Sequence, residues 1–215
     1  MQELKEISKL TIERYTQRYK KLGYDVKSLG WGSIEQQEYR FLQTLDSNID
    51  FDNKSLLDIG CGFGDYFTFL QQNKINLSNY MGYDLNPELI NEAKNLHKEN
   101  IVYFEVENIL ETQKKEIADI GVMFGVLNFN LKDKFDNFEY SMQFIENAFN
   151  LVNEVLIVDF LSDRLCAEYP KEDFVYYHSP SKILEFALSL SNNVVLKHNY
   201  SAIPQKEFMI FIYKD

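Results

Sequence analysis

The chain has 215 residues, 45% hydrophobic and 15% aromatic, which is enough to bury a core without disulfides and too apolar for a disordered segment. Its formal net charge of −11 excludes binding that works by neutralising many phosphates with a dense basic face, so no nucleic-acid partner is expected. Cys61 and Cys166 lie far apart with no Cys-x-x-Cys or Cys/His grouping, so no zinc or other metal site is expected.

Leu4, Ile7, Leu10, Tyr15, Tyr19 and Leu22 follow helical spacing up to a stop at Gly23, and Ser33 can cap a second helix through about Leu45. These two helices form an extension over residues 1–50. From residue 51 onward the pattern changes to short apolar runs alternating with amphipathic stretches, the signature of parallel strands joined by helical crossovers. The runs are Leu56 to Ile59, Tyr80 to Tyr83, Ile101 to Phe104, Ile117 to Met123 and Val155 to Phe160, with helices expected after Gly64, Pro87, Asn108 and Phe135. A loop, a helix from about Pro180 to Leu190, and the runs Val194 to His198 and Phe208 to Tyr213 complete the chain. The last two are close enough to pair as a hairpin, so the final strand should run antiparallel. The expectation is one α/β domain: a doubly wound, seven-stranded, mostly parallel sheet with an N-terminal helical extension.

The chemistry is concentrated at the strand ends. Leu56-Leu57-Asp58-Ile59-Gly60-Cys61-Gly62-Phe63-Gly64 is a strand that runs through an acid into a glycine-rich turn before a helix. Glycines there allow positive φ and let backbone amides approach a ligand. The third glycine comes one residue early for a dinucleotide fingerprint, and Asp65 occupies the sixth position, where its charge opposes a pyrophosphate and suits a cation. A second strand ends at Asp84, about 20 residues beyond Gly64, where a carboxylate can take both hydroxyls of a ribose.

These residues resemble the class I S-adenosylmethionine-dependent methyltransferases over roughly Ser55 to Tyr213. Asp58-x-Gly60-x-Gly62-x-Gly64 is similar to the family's first motif, Gly82-Tyr83-Asp84 to its second, Val106-Glu107-Asn108-Ile109 to its third, and Ala118-Asp119 through Phe124 to Phe129 to its fourth. The resemblance implies a cofactor, S-adenosylmethionine, that leaves as S-adenosylhomocysteine. It also implies a set of cofactor contacts: Asp58, Gly60, Gly62, Asp84, Leu85, Asn108, Ile109 and Phe124, with Trp31 as a lid and Tyr15 and Tyr19 reaching the methionine end.

The fourth motif lacks the Asn/Asp-Pro-Pro-aromatic loop of nucleobase amino methylation; Phe124-Gly125-Val126-Leu127 stands there instead. That chemistry is therefore disfavoured, and the resemblance, which extends to small methyltransferases that modify surface-polysaccharide (capsule) precursors, implies a small polar acceptor methylated on oxygen. A small-molecule N-methyltransferase and a non-catalytic S-adenosylmethionine-binding protein are the alternatives. His178, in the loop after the fifth crossover strand, is the expected general base. Tyr24, Asn128, Arg164, Tyr176 and Tyr177 are the expected acceptor contacts. His97 is expected on a solvated helix face. With no signal-peptide core near the N-terminus and no run of membrane-spanning length, the reading is a cytoplasmic protein with no membrane partner, a monomer or homodimer. Its richness in Lys, Asn, Ile, Phe and Tyr fits the coding bias of an AT-rich bacterial genome.

Overall fold

The computed structural model describes residues 2–215; Met1 lies outside the described residues. Its strands make a seven-stranded, mostly parallel sheet with flanking helices, a Rossmann-like fold, in which only the last strand is reversed. Two compact units are distinguishable, the first ending at Thr112 and the second starting at Gln113.

The first unit opens with α1 (Gln2–Leu22), a short 3-10 helix (Val26–Leu29) and α2 (Ile34–Leu45). As expected from its sequence, Ser33 caps α2, its hydroxyl accepting from the Gln36 amide at 3.3 Å. The 3-10 helix between them was not legible from periodicity, because four residues are too short to show a period. Asp25 caps it, and Gly30 ends it at φ 96°. Next come β1 (Ser55–Ile59), α3 (Asp65–Gln72), β2 (Asn79–Asp84), α4 (Pro87–Leu96) and β3 (Val102–Val106). The three strands pair in parallel in the order β3-β2-β1, with Asp58 opposite Gly82 and Asp84 opposite Val106.

Leu56 and Leu57 on β1 are fully buried, each worth roughly 1.5–3 kcal/mol of apolar burial. Strand β3 is different, with Tyr103 and Val106 exposed, as suits the outer strand of a sheet. Asn86 joins α1 to this framework. Its Oδ1 caps α4 by accepting from Glu88 and Leu89, while its Nδ2 donates to the Ile12 carbonyl and to Thr16 Oγ1.

One expectation fails here: no helix follows Asn108. Residues 108–117 are irregular apart from a turn at 109–111, because Ile109 and Leu110 alone supply no apolar stripe. Asn108 also turns the chain locally, its Oδ1 accepting from the Leu110 amide at 3.2 Å.

The second unit contains β4 (Ala118–Met123), α5 (Asn137–Asn150), β5 (Val152–Leu161), α6 (Pro180–Leu190), β6 (Val194–Lys197) and β7 (Glu207–Tyr213). Its strand order is β4-β5-β7-β6. Strand β7 is antiparallel to both neighbours, as the hairpin spacing predicted. Val155 to Leu161 are all buried, an apolar run broken only by Asp159, as in a strand covered on both faces. Among the described residues no helix is long and apolar enough to cross a membrane, and no group of three or more His, Cys, Asp or Glu is placed to hold a metal ion.

Candidate functional site

In the first unit the glycine turn after β1 brings together the ends of all three strands. Gly60 and Cys61 donate their amides to the Tyr83 carbonyl at 2.7 and 3.0 Å, fixing the turn against β2. Asp84, half-buried at the end of β2, accepts the Gly62 amide on Oδ2 at 3.1 Å and the Asn86 amide on Oδ1 at 2.8 Å. The Asp84 carbonyl in turn accepts from the Glu107 amide at 3.1 Å, which sets Asn108 beside it. Helix α3 begins at Asp65 with no side-chain cap on its first turn, so amides at its N-terminus point into the same region.

Three carboxylates surround this turn, and all are harder to ionise than an ordinary aspartate. Burial pushes Asp58 up to about 7, opposed by the hydrogen bond from Tyr80 and reinforced by the charges of Asp84 and Asp65. The Tyr80 hydroxyl lies 2.5 Å from Asp58 Oδ2, and Asp58 is only 3% exposed. Asp84 is raised by burial against the amides it accepts. Asp65 is raised by burial against hydrogen bonds from Gln37 and Tyr24, at 3.0 and 3.1 Å. Acids confined together resist ionisation because each new negative charge is desolvated and repelled by its neighbours. A cation placed among them relieves both effects.

The N-terminal extension closes on this turn. Gly62 adopts φ 55°, and a Cβ there would come within 2.8 Å of Leu29 Cδ1, so the end of the 3-10 helix rests directly on the glycine. The extension is held by Arg18, which donates to the Lys27 and Ser28 carbonyls, and by Ser28 Oγ, which donates to the Gly23 carbonyl. Gly64, at φ 80°, is pressed from the other direction by Phe104 and His97. His97 is thus not on a solvated face: its Nε2 lies 3.0 Å from the Phe63 carbonyl, and its ring packs against Phe67 and Phe104. Its position at the C-cap of α4, beyond the last helical repeat, aims it at the turn, which periodicity could not reveal.

The other expected cofactor contacts are placed as follows. Asp58 is closed into the strand layer, its Oδ2 accepting from the Tyr80 hydroxyl. Tyr15 lies close enough to Asp84 for the carboxylate to raise its phenol pKa, after burial. Tyr19 is engaged elsewhere, its hydroxyl donating to Glu92 Oε2 at 2.8 Å and its ring packing on Phe63. Trp31 is half-buried under the Arg40 guanidinium, 4.8 Å from the ring centroid. Leu85 is half-buried and Ile109 buried. Tyr24, expected to touch the acceptor, instead packs edge-on against Phe63 and bonds Asp65, and burial with that carboxylate pushes its pKa up to about 12. Gln37 and Leu29 were missed; nothing in a half-polar helix marks the one glutamine that reaches Asp65.

In the second unit Phe124 is buried at the end of β4. Asn128 is structural, its Oδ1 accepting from the Leu161 amide at 3.1 Å and its carbonyl from the Tyr176 amide at 3.0 Å. Arg164 is exposed, with its Nε 3.6 Å from Asp163; it faces solvent rather than an enclosed anion site. Tyr176 and Tyr177 line a cavity between the β4–α5 and β5–α6 loops.

His178 departs most from its expected role as a base open to a substrate. Its ring is 1% exposed, its Nε2 lies 2.9 Å from Ser141 Oγ, and it is packed between Phe160 and Tyr176. Burial lowers its pKa to about 3, so the ring stays neutral and walled off. A histidine in a loop sequence carries no sign of which way it turns, and here the aromatic neighbours draw it inward.

A model of the methyltransferase domain matches residues 50–206. The chain belongs to that family, the class I S-adenosylmethionine-dependent methyltransferases. No curated protein matches the chain. Among solved structures it is similar to magnesium protoporphyrin IX methyltransferase from Synechocystis PCC 6803, crystallised with S-adenosylmethionine, at 15% identity and TM-score 0.66 over 97% of both chains. It is also similar to the N-methyltransferase NodS from Bradyrhizobium japonicum WM9, in complex with S-adenosylhomocysteine, at 16% identity and TM-score 0.59 over 84% of this chain and 86% of that one. A third is an S-adenosylmethionine-dependent methyltransferase from Listeria monocytogenes, at 16% identity and TM-score 0.56 over 83% and 98%. Likeness at these identities speaks for the fold, and acceptors do not transfer with it.

Proposed function

We propose that the turn after β1 holds the S-adenosylmethionine of this methyltransferase and that the acceptor is a hydroxyl of a small polar molecule, such as a surface-polysaccharide precursor. The observation that carries the donor site is the convergence of Asp58, Asp65 and Asp84 on the glycine turn, where Asp84 accepts the Gly62 and Asn86 amides; burial that raises all three agrees with it. When bound, the cofactor supplies a methyl group on a positively charged sulfur.

Asp84 is the ribose ligand: each oxygen already fixed by one backbone amide keeps lone pairs for hydroxyl donors. Asn108 and the Ile109 backbone flank the adenine, and Leu85 covers it. Tyr15 stands beside Asp84 at the methionine end. Asp58 and Asp65 act at short range on the cationic centre, where a low-dielectric surrounding makes each charge count. Leu29, which rests on Gly62, covers the turn and excludes water, and Trp31 of the same extension serves as the lid. The protein's contribution is alignment and a dry site, which in a displacement at carbon supply most of the rate gain. His178 is assigned no proton-transfer role; it joins α5 to the β5–α6 loop through Ser141.

Incubation of the protein with trideuteromethyl-labelled S-adenosylmethionine and a panel of hydroxylated metabolites tests this. A labelled methyl ether detected by mass spectrometry is the expected result. Label found only on amines, or donor bound with no product from any acceptor, would overturn the assignment to oxygen.

A further inference from the structure

Asp65 is tied to the N-terminal extension more closely than its place beside the glycine turn requires. It is the first residue of α3, and both oxygens of its carboxylate are taken by the extension: Oδ1 accepts from the Tyr24 hydroxyl at 3.1 Å and Oδ2 from Gln37 Nε2 at 3.0 Å. These two donors flank the 3-10 helix whose Leu29 rests on Gly62. One carboxylate therefore fastens both sides of the segment that covers the turn. Tyr24 is 55% exposed, so its edge-on contact with Phe63 holds the ring only in part and the hydrogen bond sets where it stands. Gln37 is buried, where an amide stripped of its partner is costly.

The rest of the extension is anchored away from the turn. Helix α1 is joined to α4 by Asn86, by the Tyr19 hydroxyl on Glu92 and by Lys20, whose Nζ lies 3.5 Å from Glu88. Helix α2 is joined to α3 near its far end, where Thr44 Oγ1 lies 2.8 Å from the Tyr66 hydroxyl and Phe41 packs on Tyr66 and Phe69. The stretch from Gly23 to the first turn of α2 is strung between these anchorages, so it can lift from the turn while both helices stay docked.

The hold of Asp65 on that stretch depends on charge. Hydrogen bonds to an ionised carboxylate are roughly twice as strong as those between neutral groups. Burial resists the ionisation of Asp65, against the hydrogen bonds from Gln37 and Tyr24 and the charge of His97 at the end of α4. Asp58 on β1 feels the charges of Asp84 and Asp65, so the acids around the turn oppose one another's ionisation and a cation among them favours it. When the methyl group moves to a hydroxyl, the C–S electron pair returns to sulfur, the positive charge leaves with the acceptor's proton, and a neutral thioether remains.

We propose that Asp65 is a positioning residue that reads the charge in the turn: it holds Tyr24 and Gln37, and with them Leu29, more firmly over a sulfonium than over the neutral product, so the cover tightens on the donor and loosens once the methyl group has left. This rests on the reading of the turn as the donor site and adds to it how the spent cofactor is released.

Hydrogen–deuterium exchange of the full chain, read by mass spectrometry over residues 19–37, tests the proposal. The ligands are S-adenosylmethionine, S-adenosylhomocysteine and sinefungin, which carries an ammonium in place of the sulfonium, each at a concentration that calorimetry shows to saturate. The segment should exchange several-fold more slowly with either cationic ligand than with S-adenosylhomocysteine, and Asp65→Asn should bring all three to one rate. A purely structural role for Asp65 would change the rates without removing their dependence on ligand charge. The double variant Tyr24→Phe with Gln37→Leu keeps the carboxylate and strips both donors; it should also abolish the difference, which preserves the test if Asp65→Asn does not fold. Equal exchange with S-adenosylmethionine and S-adenosylhomocysteine, sinefungin grouping with the neutral product, or a difference retained in either folded variant would overturn the proposal. The calorimetry separates the two claims: ligands that bind but protect equally refute the role of Asp65 alone, and a folded chain that binds none of the three refutes the donor site itself.

Discussion

Asp58→Asn should make the protein more stable at neutral pH. The buried carboxyl titrates at about 7 in the folded protein against an ordinary 3.8, so between those values the folded state keeps a proton that the unfolded chain has released. Stability therefore falls as pH rises through that window, by about 1.4 kcal/mol per pH unit, and is about 4 kcal/mol lower above it. Asparagine cannot ionise, and its Oδ1 can still accept from the Tyr80 hydroxyl. Asp65 and Asp84 shift in the same direction, so the wild type should retain a slope that the variant only partly flattens; the difference between the two isolates Asp58. Urea denaturation of the ligand-free proteins across pH 4 to 8 reads it directly. The curves should meet near pH 4 and separate to about 4 kcal/mol. In a chain of this size that corresponds to a Tm difference on the order of 10 °C. A variant less stable than wild type at pH 8 by as much as at pH 4 would show that Asp58 is charged and compensated, and would remove the electrostatic basis of the donor site.

Three further outcomes follow from the same geometry. Gly62→Ala forces a side chain onto Leu29 in a left-handed backbone and should cost about 1–3 kcal/mol; adding Leu29→Ala should recover part of the loss in a double-mutant cycle, and strict additivity would show that the two do not meet. His178→Ala opens a buried space beside Phe160 and Tyr176 and should destabilise by about 2–4 kcal/mol while turnover per folded molecule stays within a few-fold of wild type; a loss of several orders of magnitude with unchanged stability would make it the base after all. Because Asp58 gains its charge as pH rises, S-adenosylmethionine should gain affinity over its uncharged-sulfur product between about pH 5 and about pH 8, and a constant affinity ratio in calorimetry would contradict that.

Much of this architecture is legible in the chain because it rests on short-range rules. Apolar runs such as Val155 to Phe160 read as strands, Ser33 and Asn86 mark helix starts, and the glycines after Asp58 require a turn whatever surrounds it. Asp84 is found by position alone, as the residue that ends a strand. What sequence conceals is direction. His97 and His178 both turn inward onto aromatic rings of other elements, Phe67 and Phe160, and Tyr24 and Gln37 converge on Asp65 from two different parts of the N-terminal extension. The expected helix after Asn108 fails for a local reason that was readable: too few apolar residues for a stripe, and an asparagine that bonds its own turn. Asn128 shows a last kind of error, in which a polar residue in a promising loop is consumed by holding the loop together.

The central claim, that the ends of β1, β2 and β3 form the donor site, is tested most directly by titrating S-adenosylhomocysteine into wild-type protein and Asp84→Ala in a calorimeter. One saturable site is expected in the wild type and no measurable binding in the variant, with both proteins giving the same circular dichroism and melting cooperatively. Equal affinity in the two, or no heat with the folded wild type, would contradict it.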